Sequence, residues 1–100
     1  MTLNVVALLT TKPGSGPALE QAIAEVRSAM LAHDGCLRYD LQRRRKSETE
    51  YVMIEAYETT DALRAHGSSD EFVALSAALG ELLAAPPEVI VLDPVGDQTA

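Results

Sequence analysis

The sequence predicts a single α+β domain in which helices cover one face of an antiparallel sheet. Its 100 residues suffice for one hydrophobic core, and no linker or low-complexity tract divides them. Stretches with the two-residue period of strands alternate with stretches of helical period, and Pro and Gly stand between them. The resulting order is βαββαβ, with the second helical region in two parts. This is the order of a ferredoxin-like domain, which we expect to span residues 1–100 with a core over 3–95.

The first strand and the first helix are separated by a turn at Pro13 and Gly14. Residues 3–12 are rich in β-branched and apolar side chains, so we predict a strand that is buried on much of both faces. Ser15 is a candidate cap for a helix over 17–32. Apolar residues recur in this helix at spacings of three and four, so they form one stripe that covers other apolar groups. The stripe consists of Leu19, Ile23, Val26 and Met30.

Two further strands are predicted to form a hairpin after Gly35, which can end the first helix in the left-handed conformation. Residues 36–44 alternate between apolar and polar side chains, and residues 51–58 form the returning strand. The alternation puts three side chains on one face, namely Leu37, Tyr39 and Leu41. A basic run over 43–46 lies in the connection among nearby acids, and we interpret it as a solvated surface.

The second helical region is predicted as two short helices separated by Gly67. Threonine caps the first helix at 59–60, and the run from Ser68 to Glu71 matches a Ser-x-x-Glu capping box for the second. We expect Gly80, inside that helix, to allow close approach to another backbone. One face of this helix is apolar and consists of Phe72, Leu75, Leu79, Leu82 and Leu83.

The last predicted strand covers 88–95 and follows the helix stop at Pro86 and Pro87. Pro94 cannot donate a backbone hydrogen bond, so we place this strand at an edge of the sheet, with a frayed tail over 96–100. Helices on one face would leave the other face of the sheet bare. A second copy of the chain is the economical cover, so we expect a homodimer.

Composition and charge exclude several classes of partner. A net charge of -7 with no Trp, three Tyr and one Phe is unlike a nucleic-acid-binding domain, which needs clustered cations and aromatic platforms. No apolar stretch approaches the length of a membrane span, and the N-terminus lacks the features of a signal peptide. The one cysteine, Cys36, cannot form an intrachain disulfide. We therefore expect a cytoplasmic protein that contacts neither nucleic acid nor membrane.

No cofactor or metal site is predicted. His33 and His66 are the two histidines, and they are too far apart in sequence for a short metal-ligand motif. His33 lies in a turn, where we expect it to be exposed. The glycines at positions 14, 16 and 35 do not have the strand–loop–helix spacing of a phosphate-binding loop.

The strongest candidates for chemistry are Glu55 and His66. Glu55 interrupts an apolar strand, and a carboxylate buried there must be paired, hydrogen-bonded or protonated. The short helix can bring His66 back over this strand, where Glu55 would orient the imidazole and raise its basicity. Two structural alternatives remain open. Glu55 can face a dimer groove or cap local backbone, and His66 can simply close its helix against the C-terminal dipole.

Four short motifs together resemble the antibiotic biosynthesis monooxygenase domain family, which includes quinol monooxygenases. The resemblance covers about residues 3 to 95 and rests on their order and spacing. The motifs are Lys12-Pro13-Gly14, Gly35-Cys36 followed by Tyr39, Glu55-Ala56-Tyr57, and Ala62-Leu63-x-x-His66 followed by Phe72. The chain departs from the family pattern at His33-Asp34, where members often have Glu-Pro, and at Tyr57, where they commonly have Trp.

The resemblance implies a dimeric α+β barrel in which each subunit holds a small pocket between its sheet and helices. It also implies oxidation of a small quinol-like or polyketide-derived aromatic by O₂ without a cofactor. His66 would act as base and Glu55 would orient it. The candidate substrate contacts are Tyr39, Tyr57, Phe72 and Met53. A module that binds a metabolite without converting it, and a non-oxidative isomerase or decarboxylase, are the alternatives.

Overall fold

A computed structural model describes residues 2–97 and confirms the predicted ferredoxin-like α+β fold. The described chain forms one four-stranded antiparallel sheet in the order β2-β3-β1-β4, with three helices. The strands are β1 (Leu3–Thr10), β2 (Cys36–Arg43), β3 (Glu50–Tyr57) and β4 (Glu88–Leu92). The helices are α1 (Gly16–Leu31), α2 (Thr60–Gly67) and α3 (Asp70–Leu82).

The hydrophobic core lies between the helices and one face of the sheet. Alternation along β1 buries Val5, Ala7 and Leu9, and β3 contributes every second residue from Tyr51 to Tyr57 to the same face. The apolar stripe of α1 packs against these strands, as its spacing predicts. α3 adds its own predicted stripe, of which Leu75 is buried, and Leu83, which follows the helix as its C-cap, is buried as well.

The opposite face of the sheet is open and is largely apolar on β1, β3 and β4, whereas β2 contributes Asp40 and Gln42 to it. Val6 is paired with Ile54 of β3 and with Ile90 of β4, so these three side chains form a row across three strands. Leu8, two residues along, is 40% exposed and is paired with Val52. We call this row and its neighbours the open face: Val6, Leu8, Val52, Ile54, Ile90 and Leu92.

The predicted strand over 36–44 forms, but its first residues are out of alternation. The ladder between β2 and β3 shifts register between Cys36 and Arg38, so Leu37 is an extra residue that has no partner on β3. An extra residue of this kind interrupts the alternation of faces. Leu37 is therefore half exposed, whereas Cys36 and Tyr39 are buried. Placing Leu37 on the face of Tyr39 and Leu41 was wrong.

The predicted last strand also forms, but it is shorter than expected. β4 ends at Leu92 rather than at residue 95, before the proline at 94 that cannot donate to a ladder. It lies at an edge of the sheet, as predicted. Of the tail predicted over 96–100, residues 98–100 lie outside the described residues.

Two details of α3 differ from the sequence prediction. Its N-cap is Ser69, whose hydroxyl accepts from the backbone N–H of Phe72, so the capping box assigned to Ser68 and Glu71 was wrong. Gly80 makes no close approach, because a Cβ built at this position would meet no atom within 4 Å. None of the helices within residues 2–97 is long and apolar enough to cross a membrane.

Candidate active site

A largely apolar cavity of about 590 Å³ lies between the sheet and the helices α1, α2 and α3. Its size is within the usual range of small-molecule sites, which is about 300–1,000 Å³. The ionisable residues among its lining are Tyr39, Glu55 and His66. Most of the wall is aliphatic or aromatic and includes Val5, Ala7, Leu9, Ile23, Met53, Leu63, Phe72, Leu75, Leu79, Leu83 and Val89.

α2 and its two caps place His66 in this wall. The Thr59 side chain accepts from the backbone N–H of Ala62 and fixes the start of the helix, as predicted. At the other end, the Ser69 hydroxyl donates to the backbone carbonyl of His66 at 2.7 Å. Because Ser69 is also the N-cap of α3, one residue ties the end of α2 to the start of the next helix. His66 is the buried residue of α2 and is 3% exposed.

The His66 ring is enclosed by four other rings. The ring centroids of Tyr57 and Phe72 each lie 5.2 Å from that of His66, and those of Tyr39 and His33 each lie 5.5 Å away. These contacts are tilted or edge-on, which are the arrangements that aromatic pairs prefer. They restrict the rotation of the imidazole, so its two nitrogens face fixed directions.

Glu55 has its own hydrogen-bond partner. The hydroxyl of Tyr57 donates to Oε1 of Glu55 at 2.6 Å, across two residues of the same face of β3. Burial raises the pKa of the Glu55 carboxyl, and the Tyr57 hydroxyl partly offsets this increase because it stabilises the ionised form. Burial raises the pKa of Tyr57 too, and so does its bond to Glu55. Tyr57 therefore remains a hydroxyl donor at neutral pH.

Glu55 and His66 lie close together but are not hydrogen-bonded. Nε2 of His66 is 4.0 Å from Oε1 of Glu55, which is the outer limit of an ion pair. The polar partner of His66 is instead His33, with 3.4 Å between their Nδ1 atoms. Burial, with a smaller contribution from the nearby His33, lowers the pKa of His66 to about 4. His66 is therefore a neutral imidazole at neutral pH.

The other residues expected at the site are distributed unequally. Tyr39, Met53 and Phe72 line the cavity. Burial, followed by the charge on Glu55, raises the pKa of Tyr39, so its hydroxyl also stays protonated at neutral pH. Tyr57 is fully buried and lies outside the lining, so its contact is with Glu55 and the His66 ring rather than with the cavity.

Sequence reasoning missed two residues, His33 and Glu71. His33 is half-buried rather than exposed, and its Nε2 lies 2.5 Å from Oε1 of Glu71 at the start of α3. The expectation that His33 is exposed in its turn was wrong, because α3 packs over that turn. Glu71 is an acid in the first turn of a helix, and that pattern indicates helix capping. It does not indicate a contact with a histidine 38 positions away.

Within residues 2–97, no group of three His, Cys, Asp or Glu side chains is arranged to hold a metal ion. Cys36 is buried beside this region, and burial raises the pKa of its thiol. The polar side chains that the cavity presents are the imidazole of His66, the carboxyl of Glu55 and the hydroxyl of Tyr39, in an otherwise largely apolar wall.

Comparison with known proteins places the chain in a family. The family model for antibiotic biosynthesis monooxygenases matches residues 2–78. Rv0793 of Mycobacterium tuberculosis, a provisionally assigned monooxygenase, is 32% identical over 96 residues, which are 96% of this chain and 94% of that protein. The solved structure of Rv0793 covers 99% of this chain and 100% of its own, with a TM-score of 0.90 and 30% identity in the structural alignment.

Two further solved structures are similar. One, from Caulobacter crescentus and provisionally assigned to the same family, is 33% identical with a TM-score of 0.88, covering 95% of this chain and 91% of its own. SnoaB of Streptomyces nogalater, a cofactor-independent oxygenase, has a TM-score of 0.86 and covers 99% of this chain and 98% of its own. At 21% identity, SnoaB supports the fold alone. On the family model and its relatives of 30% identity and above, the chain belongs to the antibiotic biosynthesis monooxygenase family.

Proposed function

We propose that this protein is a cofactor-independent monooxygenase that oxidises a small quinol-like or polyketide-derived aromatic with O₂. One observation carries the proposal. A buried, neutral imidazole stands in the wall of an apolar cavity that is large enough for an aromatic substrate. Membership of the antibiotic biosynthesis monooxygenase family supports this activity.

The reaction balances without a further reductant. One oxygen atom of O₂ enters a ring carbon that ends as a carbonyl, and the other leaves as water with two substrate hydrogens. The four electrons that reduce O₂ come from the substrate, which is why it must be electron-rich. Removing a proton from a phenol or an activated C–H makes the substrate electron-rich, because the resulting anion donates an electron pair to oxygen far more readily than the neutral ring does.

The cavity favours this chemistry in three ways. Its apolar wall, which includes Met53 and has Phe72 against the His66 ring, would hold a flat aromatic ring near the base and exclude water. The hydroxyl of Tyr39 is a protonated donor in the same wall and would stabilise negative charge on a substrate oxygen. Glu55, 4.0 Å from Nε2 of His66, would favour the imidazolium that forms when His66 takes the proton.

Oxygen-electrode assays with a panel of quinols and anthrones test the proposal. We expect O₂ uptake by the wild type, and a fall of about 10²- to 10⁴-fold in His66→Gln, because general-base catalysis contributes in this range. The control is Arg64→Gln, which changes an exposed residue of the same helix and should leave O₂ uptake unchanged. Undiminished O₂ uptake in His66→Gln would show that His66 is not the base.

The same assays separate the alternatives. Turnover of a panel compound under anaerobic conditions would support a non-oxidative isomerase or decarboxylase. A rise in melting temperature on binding, with no product by mass spectrometry, would support a module that binds a metabolite without converting it. Either result, in the absence of O₂ uptake, would overturn the proposed oxidation.

We also propose that a second copy of the chain covers the open face and that the protein is a homodimer. The row formed by Val6, Ile54 and Ile90 is apolar across three strands and lies on the side of the sheet away from the helices. Val89 and Val91 extend the exposed apolar surface to both faces of edge strand β4. The row itself is uncharged, and Asp40 of β2 lies beside Ile54 at one end of it, so two copies would bring apolar side chains rather than like charges together along the row.

A further inference from the structure

Hydrogen bonds connect the cavity to the protein surface through His66, His33 and Glu71. The Nδ1 atoms of His66 and His33 are 3.4 Å apart, and Nε2 of His33 is 2.5 Å from Oε1 of Glu71. The side chains become more exposed along this line, from 3% for His66 to 20% for His33 and 41% for Glu71. The three residues come from α2, from the turn between α1 and β2, and from α3.

The partners of His33 determine which nitrogens carry protons. Glu71 is ionised at neutral pH, because its bond to His33 lowers the pKa of the carboxyl, so it can only accept a hydrogen bond. His33 must therefore donate from Nε2. A neutral His33 then has a bare Nδ1, and the hydrogen bond between the histidines requires His66 to donate from its own Nδ1. This leaves the lone pair of His66 on Nε2, which faces Glu55.

We propose that His33 and Glu71 form a proton relay with His66, in which the ion pair of His33 and Glu71 holds the substrate proton while O₂ reacts. The relay rests on the proposed function, because it serves His66 as the base of that reaction. His66 would be the residue that touches the substrate. His33 and Glu71 do not line the cavity and would act through His66.

The proton transfers balance at each step. Nε2 of His66 takes a proton from the substrate, and Nδ1 of His66 gives its proton to Nδ1 of His33. His66 is then neutral with a proton on Nε2, and His33 is an imidazolium paired with the Glu71 carboxylate. After the substrate anion has added O₂, Nε2–H of His66 protonates the peroxide and His33 returns its proton to Nδ1. Both histidines then have their original tautomers, and no proton is gained or lost.

The burial of His66 gives a physical reason for such a relay. A phenol has a pKa of about 10, whereas burial lowers the pKa of His66 to about 4. Transfer that stopped at His66 would leave a buried cation and an anion in an apolar cavity, which is unfavourable. Passing the proton to His33 moves the cation towards water and against a carboxylate, where it is stabilised.

The charged and titratable groups around the relay favour proton transfer from His66 towards His33. His66 faces Glu55 and Tyr57 of β3 and Tyr39 of β2, and both tyrosines remain protonated at neutral pH because their pKa values are raised. Glu71 lies in the first turn of α3, with its carboxylate against His33. Glu71, which directly contacts His33, is therefore at the surface end of the relay, whereas Glu55 is 4.0 Å from His66 at the cavity end.

Nitrogen NMR of protein with ¹⁵N-labelled histidine tests the resting arrangement and needs no turnover. At pH 7.5 we expect the proton of His66 on Nδ1 and that of His33 on Nε2. His66→Gln assigns the two sets of signals, because one histidine remains. A proton on Nε2 of resting His66 would overturn the relay, whatever the oxygen assays give.

Kinetics test the transfer itself. His33→Asn keeps an acceptor for Nδ1–H of His66 but cannot hold the proton, so we expect kcat to fall about 10²-fold with KM unchanged. Glu71→Gln keeps the hydrogen bond but removes the charge, so we expect a fall of about ten-fold. Asp70→Asn removes an acid from the same turn of α3 without touching His33 and should have no effect.

These results separate the relay from the proposed function. O₂ uptake by the wild type with unchanged kcat in both His33→Asn and Glu71→Gln would overturn the relay and leave the oxidation in place. Absence of O₂ uptake by the wild type would overturn the oxidation, and the relay with it as a catalytic device. A change in KM alone would show that His33 and Glu71 serve only the packing of α3, and would likewise overturn the relay.

Discussion

His66 and Glu55 show how two ionisable side chains remain inside a small apolar domain. His66 is kept neutral, because burial lowers the pKa of its ring, and its Nδ1 hydrogen-bonds to His33. Glu55 has a raised pKa and is held by the Tyr57 hydroxyl. Neither group is therefore an unpaired buried charge. Their partners, Tyr57 and His33, do not line the cavity.

The pKa of His66 makes stability depend on pH. Burial lowers that pKa from 6.5 to about 4 in the folded protein. Between these values the unfolded chain binds more protons, so the free energy of unfolding should decrease as pH falls through this window. The slope from one group is at most about 1.4 kcal/mol per pH unit. Urea unfolding at pH 4.5, 5.5 and 7.5 measures it.

Comparison with His66→Phe isolates this contribution. Glu55 acts in the opposite direction, because its raised pKa makes the folded state bind the extra proton and stability then falls as pH rises above its ordinary range. The difference in unfolding free energy between wild type and His66→Phe should therefore fall as the solution is acidified. A difference that is constant with pH would show that His66 is not held neutral by burial.

At the level of secondary-structure elements, the turn after α1 determines where α2 lies. Gly35 has a φ of 79°, in the left-handed region, and a Cβ at this position would lie 2.6 Å from Cβ of Ala62 on α2. Its carbonyl accepts from the backbone N–H of Glu58 at 2.8 Å, which joins the turn to the segment that enters α2. The glycine therefore allows the turn that carries His33 to pack against the helix that carries His66.

Gly35→Ala should destabilise the domain by about 1–2 kcal/mol from the left-handed backbone alone. The contact with Ala62 should increase this loss, because α2 must shift. The matched control is Gly80→Ala, in the last turn of α3, where a Cβ would meet no atom within 4 Å and helix propensity should stabilise the domain by up to about 1 kcal/mol. Thermal and urea unfolding should show a decrease in the free energy of unfolding for Gly35→Ala and an increase for Gly80→Ala. Equal stability of Gly35→Ala and wild type would contradict the close packing of this turn.

At the level of the whole molecule, the two faces of the sheet have different roles. The helix face surrounds the cavity and positions its polar groups. The open face carries a row of aliphatic side chains, and the central strands β1 and β3 contribute to it as well as edge strand β4. A domain of this size buries a modest fraction of its surface, so covering the open face would add to its stability.

Leu8→Lys should disrupt the proposed homodimer, because it places a charge on β1 within the open face, where Leu8 is 40% exposed. Val73→Lys is the matched control, since Val73 is 61% exposed on α3, away from the open face. Light scattering coupled to size-exclusion chromatography should show a dimer for wild type and Val73→Lys, and a monomer for Leu8→Lys. A wild-type monomer, or a Leu8→Lys dimer, would exclude this face as the interface.

Local patterns were sufficient to predict the order of elements, the apolar stripes of α1 and α3, the cap at Thr59 and the edge position of β4. Each depends on residues within a few positions of one another or on the missing N–H of a proline. The patterns failed where one element meets another. The extra residue in β2 at Leu37 arises from pairing with β3, and no signal within residues 36–44 indicates it.

The sequence by itself determined the fold and identified Glu55 as a carboxylate within an apolar strand, because alternation and spacing reflect the burial of local surfaces. The tertiary structure alone decided what those polar groups contact. Glu55 lies 4.0 Å from His66 and accepts a hydrogen bond from Tyr57 instead. His66 contacts His33, which in turn is hydrogen-bonded to Glu71. The physical reason is that hydrogen bonds between residues 33 and 71 depend on how α3 packs over the turn before β2, and that packing is the sum of many apolar contacts rather than of any motif.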